Sequence, residues 1–314
     1  MPSGFPNKPT LPPLRGRIKP TLDGALIVNK SPGMTSHDVV ARVRRLAQER
    51  SVGHLGTLDP SASGVLPLLL GRLTRLAQFF QGRDKEYRGE IRFGFATDTY
   101  DAQGAPVGAV VERVPTREEV EALLPRFRGK VQQLPPPYSA KKVAGVPAYK
   151  LARRQQPVEL APVEVEVRAF ELVDLDGDRM QFRVVASTGT YVRSLAHDLG
   201  AALGVGAHLS RLERVRVGEF GLEASHTLEE LAARAEAGTL AAALLPATRL
   251  LPEFPAVVAP ADAVSKLLHG HAANLPEFSR APRVRVFASD GQLLALARRV
   301  AGSLFHPQIV FPLE

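Results

Sequence analysis

A chain of 314 residues has the length of about two domains, and its hydrophobic fraction of 45% supplies ordinary buried cores, which excludes global disorder. Forty Lys and Arg against 32 Asp and Glu leave a formal charge of +8, a balance that favours a polyanionic partner, nucleic acid first. Cysteine is absent, excluding disulfides, thiolate nucleophiles and Cys-ligated zinc; no secretory segment follows Met1 and no apolar run could span a bilayer, so a cytoplasmic protein without membrane contact is expected.

The first 20 residues hold six prolines and four basic residues without an acid, so residues 1–22 are expected to form a disordered basic tail. Folded structure is expected to begin with a buried strand at Gly24-Ala-Leu-Ile-Val-Asn-Lys. A helix follows, capped by Thr35 or Ser36, with Val39, Val40, Val43, Leu46 and Ala47 inward and Arg42, Arg44 and Arg45 outward. Next come a Gly-punctuated loop over 53–64, an apolar run from Val65 to Leu70 and a helix near 72–80. Tyr87, Gly89, Ile91, Phe93 and Phe95 alternate with polar neighbours, the period of a strand. Thr116-Arg-Glu-Glu and Thr227-Leu-Glu-Glu fit the capping box, so each should open a helix, the second closing at Gly238. Between them, 163–173 and 179–187 read as a hairpin turning at Asp174-Leu-Asp-Gly-Asp, and a helix is expected from Thr190 to Gly204. Leu251-Pro-Glu-Phe-Pro-Ala is the linker candidate. Beyond it lie a short helix over 261–268 and strands around Asp290-Gly291, a hairpin-turn dipeptide. No internal repeat is visible.

The densest chemistry lies in Gly53-His-Leu-Gly-Thr-Leu-Asp-Pro-Ser-Ala-Ser-Gly-Val-Leu, where glycines permit close backbone approach to a ligand and Asp59 sits between them. Locally, Asp59 before Pro60 also suits a helix N-cap, and both readings stand at this point. His54 is either a general base or a structural loop residue. No G-x-S-x-G, Walker A or G-x-G-x-x-G motif occurs, which disfavours hydrolase, NTPase and dinucleotide chemistry, and His269-Gly-His271 lacks further ligands at metal spacing. Residues 122–158 carry eight Lys or Arg and no acid, with Tyr138 and Tyr149 among them: cations for phosphates and rings for bases describe an RNA-contacting segment that includes Lys141, Lys142, Arg153 and Arg154. In Ser187-Thr-Gly-Thr-Tyr-Val-Arg-Ser-Leu, Arg193 falls in the first turn of a helix, where the backbone dipole disfavours a cation; it is either partnered by an anion or a surface arginine.

Together these segments resemble the bacterial tRNA pseudouridine-55 synthases, the TruB family, over about residues 23–250. The core of the match is Gly53-His54-Leu55-Gly56-Thr57-Leu58-Asp59-Pro60 with Ala62, Gly64, Val65, Leu66 and Pro67. It continues through Lys85-Glu-Tyr87, Thr97-Asp-Thr99-Tyr-Asp101, Pro136-Pro-Tyr-Ser-Ala-Lys141 and Gly189-Thr-Tyr-Val-Arg-Ser. Lys30-Ser-Pro-Gly-Met-Thr-Ser resembles the family's opening motif, with Ser31 at a position where proline also occurs. The resemblance implies that Asp59 is the essential carboxylate, that Tyr87 stacks on the extracted uracil and that Arg193 pairs with Asp59. It also implies that Tyr191 and Leu212 line the pocket and that His54 packs against the T loop.

The implied fold is α+β, a catalytic domain over 23–250 around a mixed, largely antiparallel sheet, with a small C-terminal β-barrel over 255–314 similar to PUA-type RNA-binding domains. The implied activity is isomerisation of uridine 55 in the tRNA T loop, without cofactor, metal or obligate protein partner, by a monomer. Two other readings are an RNA-binding or RNA-folding protein whose catalysis is incidental, and a guide-RNA-dependent relative. The intact Asp59, Tyr87 and Arg193 set argues against the first, and the 130–154 stretch against the second.

Overall fold

The computed structural model describes residues 22–139, 141–143, 145–148, 151 and 160–313. Residues 1–21, and with them nearly all of the expected tail, lie outside the described residues, as do Tyr149, Lys150, Arg153 and Arg154. Leu22 belongs to the fold instead of the tail, because its side chain packs on the main core. The next residue, Asp23, is ion-paired with Arg72 at 2.5 Å.

The chain opens with β1 (Gly24–Lys30), α1 (Ser36–Ala47), β2 (Val52–His54) and β3 (Ser63–Leu70). Thr35 is the N-cap of α1 and exchanges hydrogen bonds with Asp38, which frees Ser36 for a different task at the site. The run Val65–Leu70 is a strand buried on both faces. Leu66, Leu68 and Leu70 face one apolar cluster with Leu26 and Val28, while Val65 and Leu69 face a second with Ala25 and Ile27. Alternating apolar and polar residues would leave one of these faces polar, hence the continuous run. The expected helix near 72–80 is a 3-10 helix, Gly71–Phe80. Its apolar residues Leu73, Leu76 and Phe79 recur every three positions, which aligns them on one face of a three-residue turn.

Then follow β4 (Lys85–Phe93), the two-residue strands β5 (Ala96–Thr97) and β6 (Pro106–Val107), α2 (Arg117–Leu123) and β7 (Gly129–Gln133). Phe95 lies beyond the end of β4 and packs its ring at a tilt against His208 instead of extending the strand. A small hairpin of β8 (Lys142–Val143) and β9 (Val146–Pro147) precedes the long hairpin of β10 (Val163–Asp176) and β11 (Arg179–Ala186). Helix α3 (Val192–Ala202), β12 (Ala207–Val217), β13 (Phe220–Gly221) and α4 (Leu228–Glu236) complete the larger unit. Both expected capping boxes, Thr116 with Glu119 and Thr227 with Glu230, are formed. The main sheet runs β1-β3-β12-β4-β11-β10-β7, and β12 beside β3 is its parallel pair.

The C-terminal unit comprises β14 (Ala256–Val258), α5 (Ala261–Leu268), β15 (Ala273–Asn274), β16 (Arg283–Phe287), β17 (Leu293–Ala301) and β18 (Leu304–Val310). Its order, β14-β16-β17-β18-β15, has two ends. No pairing among the described residues joins β14 to β15, so this is a half-barrel where a small β-barrel was expected. One face packs its own core on α5; the other adds Leu296, Ile309 and Phe311 to the apolar cluster of β1 and β3. No helix among the described residues is long and apolar enough to cross a membrane.

Candidate active site

The loop between β2 and β3 is fastened from three sides. Ser36 of α1 accepts from Leu58 N at 2.9 Å and donates to Leu58 O at 3.0 Å. Lys30, fully buried at the end of β1, donates to the carbonyls of Ser31, Met34 and Pro60 at 2.9–3.2 Å. Burial lowers Lys30 from its ordinary 10.5 to about 8, although the negative charge of Asp59 opposes the shift. From β12 comes Arg214, also fully buried, whose guanidinium donates to Val65 O at 2.9 Å, Thr57 O at 3.1 Å and Gly56 O at 3.0 Å. Backbone carbonyls are the main acceptors for both cations, so the hydrogen bonds that offset their desolvation also fix this loop.

What the loop presents is Asp59. No helix starts at Pro60, and Ala62 N donates to the backbone carbonyl of Asp59 in a turn, so the side chain is not a cap. Its carboxylate is 36% exposed and lies 2.8 Å, through Oδ2, from Nε of Arg193, whose own side chain is 7% exposed. The Arg193 N–H does not point straight along that line, so the contact is an ion pair without a well-formed hydrogen bond. Arg193 sits in the first turn of α3, where no acidic side chain and no side-chain cap offset its charge. Its other nitrogens donate to Thr99 O and Tyr138 O, both at 3.2 Å, and Asp101 Oδ2 lies 3.9 Å from Nη1. The Thr97–Asp101 segment is held in turn by Thr99 Oγ1 donating to Asp101 Oδ1 at 2.6 Å, with Tyr100 at a left-handed φ of 64°.

Tyr87 of β4 is buried between Val184 of β11 and Arg214 of β12. Burial raises its hydroxyl above the ordinary value of 10.0, against the pull of the adjacent Arg214. Leu212, two residues before Arg214, is partly buried opposite Gly89 of β4. Tyr191 is the N-cap of α3. Its backbone N–H donates to Gln133 Oε1 at 2.8 Å and its carbonyl accepts from Gln133 Nε2 at 3.0 Å. Burial raises the Tyr191 hydroxyl too, with Ser139 and Arg193 opposing. His54 closes β2, and its Nδ1 accepts from Gly56 N at 3.3 Å, which leaves the proton of the neutral ring on Nε2. Burial, then Arg214 and His37, lower its pKa.

The structure thus gathers Asp59, Arg193, Tyr87, Tyr191 and Leu212 about one loop, with His54 at its start. The basic segment is less uniform than its composition suggests. Arg128 donates twice to Phe170 O, at 3.0 and 2.8 Å, and Lys130 is 3.5 Å from Glu164, so these two cations are engaged within the protein. Arg126 and Lys141 are exposed, and Lys142 lies in β8. Sequence reading missed Arg214, Ser36 and Gln133. Arg214 carried one usable signal: it shares a strand face with Leu212, two positions away.

The chain matches the TruB family pseudouridylate synthase N-terminal domain over residues 44–192. It matches the tRNA pseudouridylate synthase B C-terminal domain over residues 193–252. A tRNA pseudouridine synthase B of Solibacter usitatus is 45% identical over 292 residues, covering 92% of this chain and all of that protein. One of Symbiobacterium thermophilum is 48% identical, covering 79% of this chain and 82% of that one. Among solved structures, a chain of an H/ACA ribonucleoprotein bound to a substrate RNA containing 2′-deoxyuridine superposes with a TM-score of 0.68 and 26% identity, over 93% of this chain and 86% of that one. A chain of the archaeal box H/ACA Nop10–Cbf5 complex gives 0.66 and 27%, over 92% and 86%. With relatives at this level of identity along most of its length, two contiguous domain matches and this fold, the chain belongs to the TruB family of tRNA pseudouridine synthases.

Proposed function

We propose that this protein isomerises uridine 55 in the T loop of tRNA, with Asp59 as the carboxylate that acts on the ribose. The observation that carries this reading is the partly exposed Asp59 carboxylate at 2.8 Å from a buried Arg193, on a loop pinned by Arg214 beside Tyr87. A base within folded RNA must leave its stack to be worked on, and it needs a flat surface to receive it; the Tyr87 ring is that surface. Tyr191 and Leu212 line the pocket, and His54 packs against the opened loop. Asp59, oriented by Arg193 at 2.8 Å, works at C1′ as a nucleophile or at C2′ as a base. The C1′–N1 bond breaks with its electron pair on uracil, the ring turns, and a C1′–C5 bond forms. The proton lost from C5 is balanced by one gained at N1. Substrate and product have the same composition and oxidation level, so the reaction calls for no redox carrier or energy source.

In this reading, residues 23–250 form the catalytic unit and residues 255–314 a PUA-like RNA-binding unit, and the enzyme works as a single chain on tRNA. The 122–158 segment, through Lys141, Lys142, Arg153 and Arg154, grips phosphates of the T arm. The 40–48% identity to proteins named tRNA pseudouridine synthase B favours this over the guide-RNA-dependent assemblies, whose chains are 26–28% identical.

Asp59→Asn retains volume and removes charge. Purified variant and wild type are incubated with unmodified tRNA, and pseudouridine is mapped chemically. Wild type modifies position 55, whereas the variant forms none and binds tRNA within about threefold of wild type. Pseudouridine formed by Asp59→Asn, or formed only elsewhere by wild type, overturns the assignment.

A further inference from the structure

Lys85 opens β4 two residues before Tyr87, so the two side chains leave the same face of the strand. Its stem lies along the loop that carries Asp59: a Cβ added at Gly56 would sit 3.4 Å from Lys85 Cε and 3.7 Å from Nζ. The ammonium donates to Thr188 Oγ1 at 2.8 Å, in the turn that leads into α3. Lys85 therefore bridges the two segments that bring Asp59 and Arg193 together.

What it lacks is an anion. Both acids beside it in the chain are committed elsewhere, Asp84 to Arg168 at 2.5 Å and Glu86 to Arg183 at 2.7 Å, because their side chains leave the opposite strand face. Among the described residues no carboxylate lies within ion-pair distance of Lys85. Arg193 has two carboxylates, the three donors of Lys30 meet three carbonyls, and Arg214 is engaged by three carbonyls and Tyr87. Lys85 has one hydroxyl, so its donors remain available at the rim of the site. Burial, reinforced by Arg214, lowers its pKa from 10.5 to about 8, the direction expected of a cation held without a counter-charge.

A uridine whose base stacks on Tyr87 and whose ribose meets Asp59 brings its own phosphodiesters to that rim. We propose that Lys85 binds the phosphate attached to the extracted uridine, and so sets the depth at which the nucleotide enters the site. This rests on the uridine chemistry assigned to Asp59. An ammonium suits the task, since a phosphate oxygen can replace or join Thr188 Oγ1 without a fixed fork geometry.

The test is a cycle between Lys85→Met and T-arm RNA carrying a single uncharged methylphosphonate, placed 5′ or 3′ of the target uridine. With ordinary RNA the variant is expected to raise KM roughly ten- to hundredfold, the loss typical of one charge-assisted hydrogen bond, while kcat stays within about threefold. Wild type should suffer a similar loss with one of the two methylphosphonates. Lys85→Met should lose nothing further with that same RNA, and Lys85→Arg should stay near wild type. Losses that multiply for both methylphosphonates, or a fall in kcat with KM unchanged, overturn the phosphate contact. Absence of pseudouridine with wild-type enzyme and ordinary RNA would instead remove the functional reading beneath it.

Discussion

At the scale of single residues, the site turns on how two buried arginines are satisfied. Arg214 uses three nitrogens on three carbonyls and is a fastener; Arg193 divides itself between two carbonyls, Asp59 and Asp101. Such a distribution needs the planar fork of a guanidinium, because an ammonium on a shorter stem reaches only part of the set. Arg193→Lys is therefore expected to fold and to bind tRNA, yet to lower the single-turnover rate on the order of 10²-fold, since in the proposed chemistry a displaced carboxylate no longer meets the ribose. Rapid-quench measurement at saturating enzyme reads this directly, and a rate within about threefold of wild type would show that charge alone suffices.

At the scale of elements, the parallel seam between β3 and β12 decides where the Asp59 loop sits. Gly64 and Arg214 face each other across it, and Gly64 has a φ of +104°. An added Cβ would lie 2.2 Å from Arg214 O, so the strands approach only because no side chain stands between them. Gly64→Ala is expected to cost about 1–3 kcal/mol by overpacking, on top of about 1–2 kcal/mol of backbone strain at its positive φ, and to shift Arg214 away from the loop carbonyls. Both the melting temperature and the single-turnover rate should fall. Gly189 is the control: its φ is +90° but nothing lies within 4 Å of an added Cβ, so Gly189→Ala meets backbone strain alone, about 1–2 kcal/mol. Equal stability loss in the two variants would mean that backbone strain, and not the seam, is the cause.

At the scale of the whole molecule, the two units share an apolar cluster. Phe311, Ile309 and Leu296 of the C-terminal sheet pack with Ile27, Leu69, Leu73 and Leu76 of the larger unit. Arg75 reinforces the joint, donating to Val310 O at 2.5 Å with its guanidinium 5.8 Å from the Phe311 ring. Arg285 does the same from the other side, reaching Thr248 O, Leu250 O and Phe254 O at 2.7–2.9 Å. Shared burial of this kind couples the units, so calorimetry of the wild type should show one cooperative transition. Phe311→Ala should cost about 3–5 kcal/mol and begin to separate the transitions. Two well-resolved transitions in the wild type would show that the units unfold independently.

Local physical chemistry was enough for the starts and faces of the elements. The Thr116 and Thr227 capping boxes, the period of two in Tyr87 to Phe93, the turn at Asp290-Gly291 and the helix over 261–268 each depend on residues a few positions apart, and all could be read along the chain. The crowded motif around Asp59 was legible for the same reason, and resemblance to a family supplied roles that spacing alone left open. Other features needed the third dimension. Arg211, Arg214 and Arg216 look alike in sequence, yet only Arg214 is fully buried, because β12 runs between β3 and β4 and turns that one side chain under the loop. Likewise Arg128 and Lys130 counted as free cations by composition until their partners Phe170 and Glu164 arrived from β10. Sequence by itself determined the chemistry available to this protein. Which charges are buried, which are paired and which, like Lys85, have no carboxylate within ion-pair distance among the described residues was decided only by the tertiary structure, because desolvation and pairing depend on neighbours that lie far away along the chain.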